Sequence, residues 1–363
     1  MIRYHLLADV SDGRDNNLNL MRMLAAAAVA LSHSYLLVTG DGDARPLVGA
    51  TGFSLGYHAV NIFFVISGFL VARSWLRSEN LTHFWVARAL RIFPALAVCV
   101  VLTALVAAPL LISIPLGAYF TSWQTFLYLP LTASLITPDA TLPGLFTSNP
   151  VPDEVNGSLW TLRYELICYA GLSAIGYWGV LNNRTKLLWV SAVVAVPLIF
   201  LSLLPGTYEE TNITQHFVRF GLCFGLGMLA YEFRARIPLH WTGVVAFLLL
   251  AAALHETPLF PISLYAFVAY ASFWFAFIPS GAIRKYNTLG DVSYGLYIYA
   301  FPVQQALVLQ VPGLSSLGLF ALTLAIAVPI AAVSWVLIEK PALAEKRSVY
   351  EYIMSAVPLN RGH

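Results

Sequence analysis

The chain has 363 residues, of which 59% are hydrophobic and only 10% charged, with a mean hydropathy of +0.74. A water-soluble domain carries roughly 25% charged residues, so this composition excludes a soluble globular protein and implies a polytopic membrane protein. A net charge of +2 gives no reason to expect a nucleic-acid partner, and three cysteines without CxxC spacing argue against a disulfide framework or a metal site.

The polar N-terminus "MIRYHLLADVSDGRDNN" lacks the apolar core and cleavage site of a signal peptide. A bilayer core takes about 20 mostly apolar residues per helix. That window predicts ten spans, near 18–38, 57–75, 92–112, 158–181, 186–204, 213–232, 239–254, 259–279, 290–310 and 316–338. Lys and Arg concentrate in cytoplasmic loops of membrane proteins. With the N-terminus inside, 15 of the 20 basic residues, from Arg3 and Arg14 to Arg347 and Arg361, fall in inside segments. Outside loops hold only Arg45, and Arg22, Arg73, Arg163 and Arg219 lie within spans. The expected fold is therefore all-α, an integral membrane protein of about ten transmembrane helices with both termini cytoplasmic. Residues 1–345 are expected to form one domain and 346–363 a cytoplasmic tail. Within 113–157, "YFTSWQTFLYLPLTASLI" is apolar, but counting it as a span inverts every later loop. It is expected to lie on the outer side as an interfacial or re-entrant segment, over protein rather than in lipid.

Ionisable groups inside a membrane are costly and mark functional hypotheses. In the first span, Arg22 and His33 are eleven residues apart, about three turns, so they share a face about 16 Å apart. Arg22 lies near the cytoplasmic end and His33 in the outer half, where imidazole can exchange a proton near neutral pH. The alternatives are a snorkelling arginine and a satisfied structural histidine. The second span brings His58 and Asn61 near its outer end and Gly68 mid-span, where a small residue permits close helix approach. In "HFWVARALRIFP", Arg88 and Arg91 share a helix face and suit phosphate, although ordinary positive-inside charge explains them equally. In "GSLWTLRYELICY", Arg163 and Glu165 are two residues apart and cannot pair with each other, so a partner on another helix is expected. Glu165 is placed at the depth of His33, as an acid able to orient its imidazole, with Arg219 and Gln304 as further partners. The outer-half polar groups are expected to line one cavity, with Arg22, Arg73, Arg88 and Arg91 forming an anionic site beneath it. Physics alone leaves open a transporter of a sugar or lipid-linked substrate, although the paired broken helices of two repeated halves are not evident.

Six segments in order resemble the membrane acyltransferase-3 family: Arg22-x10-His33, "FFVISGFL", "RALRIFP", "SLWTLRYEL", "DVSYGLYIYAFPV" and "IEKP" at 338–341. The resemblance runs over nearly the whole chain. It implies transfer of an acyl group, usually acetyl, from acyl-CoA to hydroxyls of carbohydrate, as in O-antigen, exopolysaccharide or lipid-linked glycans, at the bacterial inner membrane. His33 then matches the catalytic histidine, Arg22 its partner, Glu165 the acid after the Trp160 motif, and Arg88 and Arg91 a basic pair serving acyl-CoA. Arg73 is grouped with that pair. Asn61, His58, Trp160, Arg163, Arg219 and Gln304 are assigned to the acceptor or oxyanion pocket. Acyl-CoA is expected as a substrate rather than a permanently bound cofactor, and no metal is expected. One departure stands out: where many members have histidine in "YLWH-x-P", this chain has Ala300.

Overall fold

The computed structural model describes residues 4–78, 80–204 and 213–356. Arg3 and Arg361, both counted as inside charges, lie outside them. The fold is helical, with one two-stranded antiparallel ribbon, β1 (His5–Leu6) against β2 (Pro238–Leu239). The main helices are α1 (Leu18–Thr39), α2 (Leu55–Ser78), α3 (Leu81–Leu111), α4 (Trp123–Ala133), α5 (Trp160–Tyr177), α6 (Arg184–Ser202), α7 (Ile213–Glu232), α8 (Trp241–Ala253), α9 (Phe260–Phe277), α10 (Ser293–Gln310), α11 (Ser316–Ala344) and α12 (Lys346–Ala356).

Seven of these, α1, α2, α3, α6, α7, α9 and α11, are long and apolar enough to cross a membrane. The other three expected spans also appear as helices. α5 and α10 each have 18 residues but carry more polar side chains, and α8 has 13. α4 has 11 residues, about 16 Å of helix, too short for a hydrocarbon core of about 30 Å. α3 starts earlier than expected, so Arg88 and Arg91 belong to the same continuous helix as the third span. Residues 346–356 of the expected tail form α12, whose Tyr350 packs edge-on against His83 and accepts a hydrogen bond from Asn80.

Contacts sort the helix ends into two faces. On the N-terminal face, Leu7 N donates to Ile237 O, Asp12 pairs with Arg77, Asp15 with Arg284 and Arg184 with Glu232. On the distal face, His255 meets Ala50 O, and Asn149 and Asn156 tie the 140–157 loop to Gln305 and to Ile298 O of α10. The described basic clusters thus gather at one end, as their alternation along the chain requires.

Helix α2 is the hub. It meets α7 so closely that a β-carbon on Gly68 would lie 2.1 Å from Phe224 O, and one on Gly227 2.0 Å from Val65 O. The two glycines let the backbones touch, the packing expected of Gly68. Phe64 and Phe220 stack beside this contact, with centroids 4.1 Å apart. α6 and α11 instead turn Leu188, Trp189, Val193, Phe200, Val333 and Leu337 outward. Apolar patches of that size suit lipid rather than water.

Candidate active site

The acids of the site come from the far end of the sequence. Asp291 precedes α10 and is held there by its own Ser293, whose backbone N–H and hydroxyl both donate to Oδ1. Its Oδ2 takes Arg22 from α1 and Arg91 from α3, the latter at 2.5 Å. Glu339 ends a π-helical turn, Trp335–Glu339, that widens α11 where it meets α3. It receives Arg91 at 3.4 Å and Ser334 Oγ at 3.3 Å. Four charges from four segments thus close one buried network beneath the centre of the bundle. The sequence alone assigns no acid to Arg22 or Arg91, although Asp291 and Glu339 stand within the family-like segments "DVSYG" and "IEKP".

Above this network lies a cavity of about 210 Å³ lined by Arg22, Ser67, Arg88, Arg91, Glu165, Tyr169, Tyr294 and Lys346, among others. A narrower chamber of about 50 Å³ shares Arg22, Phe63, Glu165 and Tyr294 with it and is closed by Val60, Thr161 and Tyr297. The Thr161 and Tyr297 hydroxyls are 2.6 Å apart. The passage is basic at its mouth and more apolar at its head. Arg88 donates to Ser74 Oγ at 3.4 Å and lies 5.8 Å from the ring centroids of Phe84 and Tyr169. Arg91 lines the same wall but its charge is met by Asp291 and Glu339.

His33 sits beyond the head of this passage. Its ring meets Phe301 edge-on, with centroids 5.0 Å apart, and its Nδ1 is buried without a hydrogen-bond partner among the described residues. Phe301 is one helical turn beyond Tyr297. Gln304 ties α10 to α1 next to His33, donating to Ala30 O and Ser34 Oγ at 2.7 Å each. The 140–157 loop packs over the same Phe301, because a side chain at Gly157 would run into that ring.

The single outer cavity expected from the sequence is corrected. Its members divide into four places, because Glu165, Arg163, Arg219 and Gln304 each bond to nearer partners. Glu165 does not bond His33; its Oε1 accepts from Tyr169 OH, one turn along α5, and from Ser67 Oγ at 3.1 Å. It therefore lines the passage at the level of Arg22, deeper than expected. Arg163, two residues away and on the opposite side of α5, donates to Leu135 O and Ile136 O at 3.2 and 2.9 Å and pins the turn after α4. Arg219 is 4% exposed, donates to Asn61 Oδ1 at 2.6 Å and Tyr57 O at 2.7 Å, and lies 3.5 Å over the Tyr57 ring. It joins α7 to α2 without lining the passage. His58 meets Thr51 at 3.3 Å, and Trp160 packs on His216 with centroids 4.5 Å apart.

Arg73 also separates from Arg88 and Arg91. It donates to Ser11 O at 3.1 Å and lines an open groove of about 470 Å³ on the N-terminal face, with Arg14 and Asp291. Arg22 borders both this groove and the passage.

The Acyltransferase domain family (Acyl_transf_3) matches residues 15–339, which includes every helix around the passage except α12. The chain is 30% identical over 355 residues to the O-acetyl transferase of Shigella phage Sf6, an alignment covering 90% of this chain and 96% of that protein. It is 28% identical over 370 residues to Nodulation protein 10 of Rhizobium leguminosarum bv. viciae, covering 93% of this chain and 96% of that one. No solved structure gives a significant match. A helical bundle with lipid-suited faces, a charged passage bounded by α1, α2, α3, α5 and α10, and a family match over residues 15–339 leave one conclusion: the chain belongs to the acyltransferase-3 family and is a membrane acyltransferase.

Proposed function

We propose that the chain is an O-acetyltransferase of the bacterial inner membrane, with both termini cytoplasmic. It takes acetyl from cytosolic acetyl-CoA and delivers it to a hydroxyl of a surface or lipid-linked glycan. The observation that carries this reading is the passage itself. It opens among basic side chains on the face where the basic loops gather, runs past Arg22 and narrows toward the end of α1 that holds His33. The O-acetyl transferase name of the phage relative supports acetyl as the group moved. A pantetheine arm is long and thin and suits a narrow passage between helices.

In this mechanism the phosphates of the donor stay at the mouth and the thioester advances to the head. His33 removes the proton of the acceptor hydroxyl while its oxygen attacks the thioester carbonyl. The tetrahedral oxyanion lies near the hydrogen-bonded Thr161–Tyr297 hydroxyl pair, whose Tyr297 O–H is left to donate when Thr161 donates to it. Collapse breaks the C–S bond, the thiolate takes the proton from the imidazolium, and acetyl ester and free CoA leave. Arg22 and Glu165 shape the passage below, and the 140–157 loop over Phe301 borders the acceptor side.

The test is purified protein in nanodiscs given acetyl-CoA and a lipid-linked glycan extract, read by thiol release and by mass spectrometry of the glycan. Acetylated glycan from wild-type protein, and none from a folded His33→Ala variant, is the expected pair of results. Full transfer by His33→Ala removes the general base, and a wild-type protein that leaves the glycan unmodified removes the acceptor class.

A further inference from the structure

Three of the four arginines assigned to the inner anionic site are committed elsewhere. Arg22 and Arg91 share Asp291, and Arg91 also holds Glu339. Arg73 lies in the open groove, where Asp291 is present as well. That leaves Arg88, which makes no ion pair among the described residues and whose Nε is buried without a partner. Across the mouth from it is Lys346, the first residue of α12 and, with Leu343, a contribution of the C-terminal segment to the wall. Lys346 also has no carboxylate partner among the described residues. Burial first, and then the nearby Arg88 guanidinium, pull its ammonium below the usual lysine range. His83, five residues before Arg88 on α3, feels both charges, and its Nδ1 is buried without a partner among the described residues. His83 is in turn fixed by Tyr350 of α12, one turn after Lys346. Two helices far apart in the sequence therefore bring two cations, neither with a carboxylate among the described residues, to the rim of the passage.

We infer that Arg88 and Lys346, flanked by His83, form a phosphate-monoester site, and that its occupant is the terminal 3′-phosphate of the CoA donor. The geometry favours this group because a guanidinium and an ammonium at a half-exposed rim suit a compact dianion. The phosphate farthest from the thioester is also the one that remains at the mouth when the thioester is at the head. The inference rests on the donor assigned under the proposed function. It gives α12, which lies outside the family match, a role in donor recognition, and it makes Arg91 a structural partner of Asp291 and Glu339.

Equilibrium binding of acetyl-CoA and of acetyl-3′-dephospho-CoA to the full chain in phosphatidylcholine nanodiscs tests it, with no acceptor required. Wild-type protein is expected to bind the 3′-phosphorylated donor about tenfold more tightly. Lys346→Gln removes that difference by weakening acetyl-CoA alone, and Lys346→Arg restores it. A general loss of structure weakens both ligands together. Equal binding of the two by wild-type protein, or an undiminished preference in Lys346→Gln, overturns the site while leaving the donor assignment intact. Failure of wild-type protein to bind either ligand overturns both. A lipid headgroup is the competing source of phosphate. A preference that vanishes when phosphatidylglycerol is added to the nanodiscs assigns the site to lipid and overturns the donor reading of it.

Discussion

Loss of Asp291 takes a carboxylate from two guanidiniums at once. Its carboxylate joins Arg22, Arg91 and Ser293, and the Arg22, Arg91 and Asp291 side chains are only 22%, 16% and 11% exposed. Asp291→Asn keeps the shape but removes the charge. Arg22 is then left with no carboxylate among the described residues, and Arg91 keeps only Glu339 at 3.4 Å. Removing one member of a buried ion pair costs about 3–5 kcal/mol, because the remaining charge stays desolvated. That is a rise in the unfolding equilibrium of about 10²-fold to several thousandfold. Cys99 and Cys223 are 1% and 0% exposed, so a thiol-reactive dye reports thermal unfolding of detergent-solubilised protein. The expected order of melting temperature is wild type, then Glu339→Gln, then Asp291→Asn, since Glu339→Gln leaves Arg91 its nearer partner. Joint replacement by Asp291→Leu and Arg22→Met is expected to recover part of the loss, because an apolar pair replaces the stranded charge. Asp291→Asn melting with the wild type refutes the claim that this network holds α1, α3 and α10 together.

Three further outcomes follow from the geometry. Gly68→Ala puts a methyl 2.1 Å from Phe224 O and must force α2 and α7 apart, whereas Gly225→Ala, with nothing within 4 Å, is tolerated or stabilises by up to about 1 kcal/mol; expression and melting of the two variants check this. Arg219→Lys is expected to lower the melting temperature nearly as much as Arg219→Met, since an ammonium cannot reproduce the fork onto Asn61 and Tyr57 O or the stacking on Tyr57; rescue by lysine contradicts it. Glu165→Gln keeps an acceptor for Tyr169 and Ser67 and the shape of the passage, so it is expected to fold normally and to transfer at close to the wild-type rate; a loss of about 10²-fold or more gives its charge a part in the reaction.

What the sequence could disclose followed from properties that belong to one segment at a time. Apolar length placed the helices, and the alternation of basic loops placed their ends, because each is a local consequence of the bilayer. Gly68 was readable as a close-contact residue for the same reason. Pairing was not readable, because it is decided between segments far apart. Arg22 and Asp291 are 269 residues apart, and Arg91 and Glu339 are 248 apart. The rule that residues two apart on a helix diverge correctly separated Arg163 from Glu165, yet it could not say where either would go. Glu165 found its partner one turn along its own helix, in Tyr169, an interaction within reach of the i, i+4 rule once tyrosine is counted as a donor to a carboxylate.

The fate of Arg88 and Arg91 shows why a motif on one helix face does not by itself define a binding site. The spacing puts both guanidiniums on one wall of the passage, and the structure agrees. Charge compensation then separates them. A guanidinium held by two carboxylates has little left to offer a phosphate, whereas one with a buried, unbonded Nε gains from any anion that arrives. Positive-inside counting treats the two as equal because it registers charge and side but not neutralisation. The same logic draws in Lys346, which looked like an ordinary tail residue until α12 folded back on α3. For a membrane enzyme with a charged donor, the informative cations are those left unpaired at the mouth of a passage, and they become visible only after the paired ones have been subtracted.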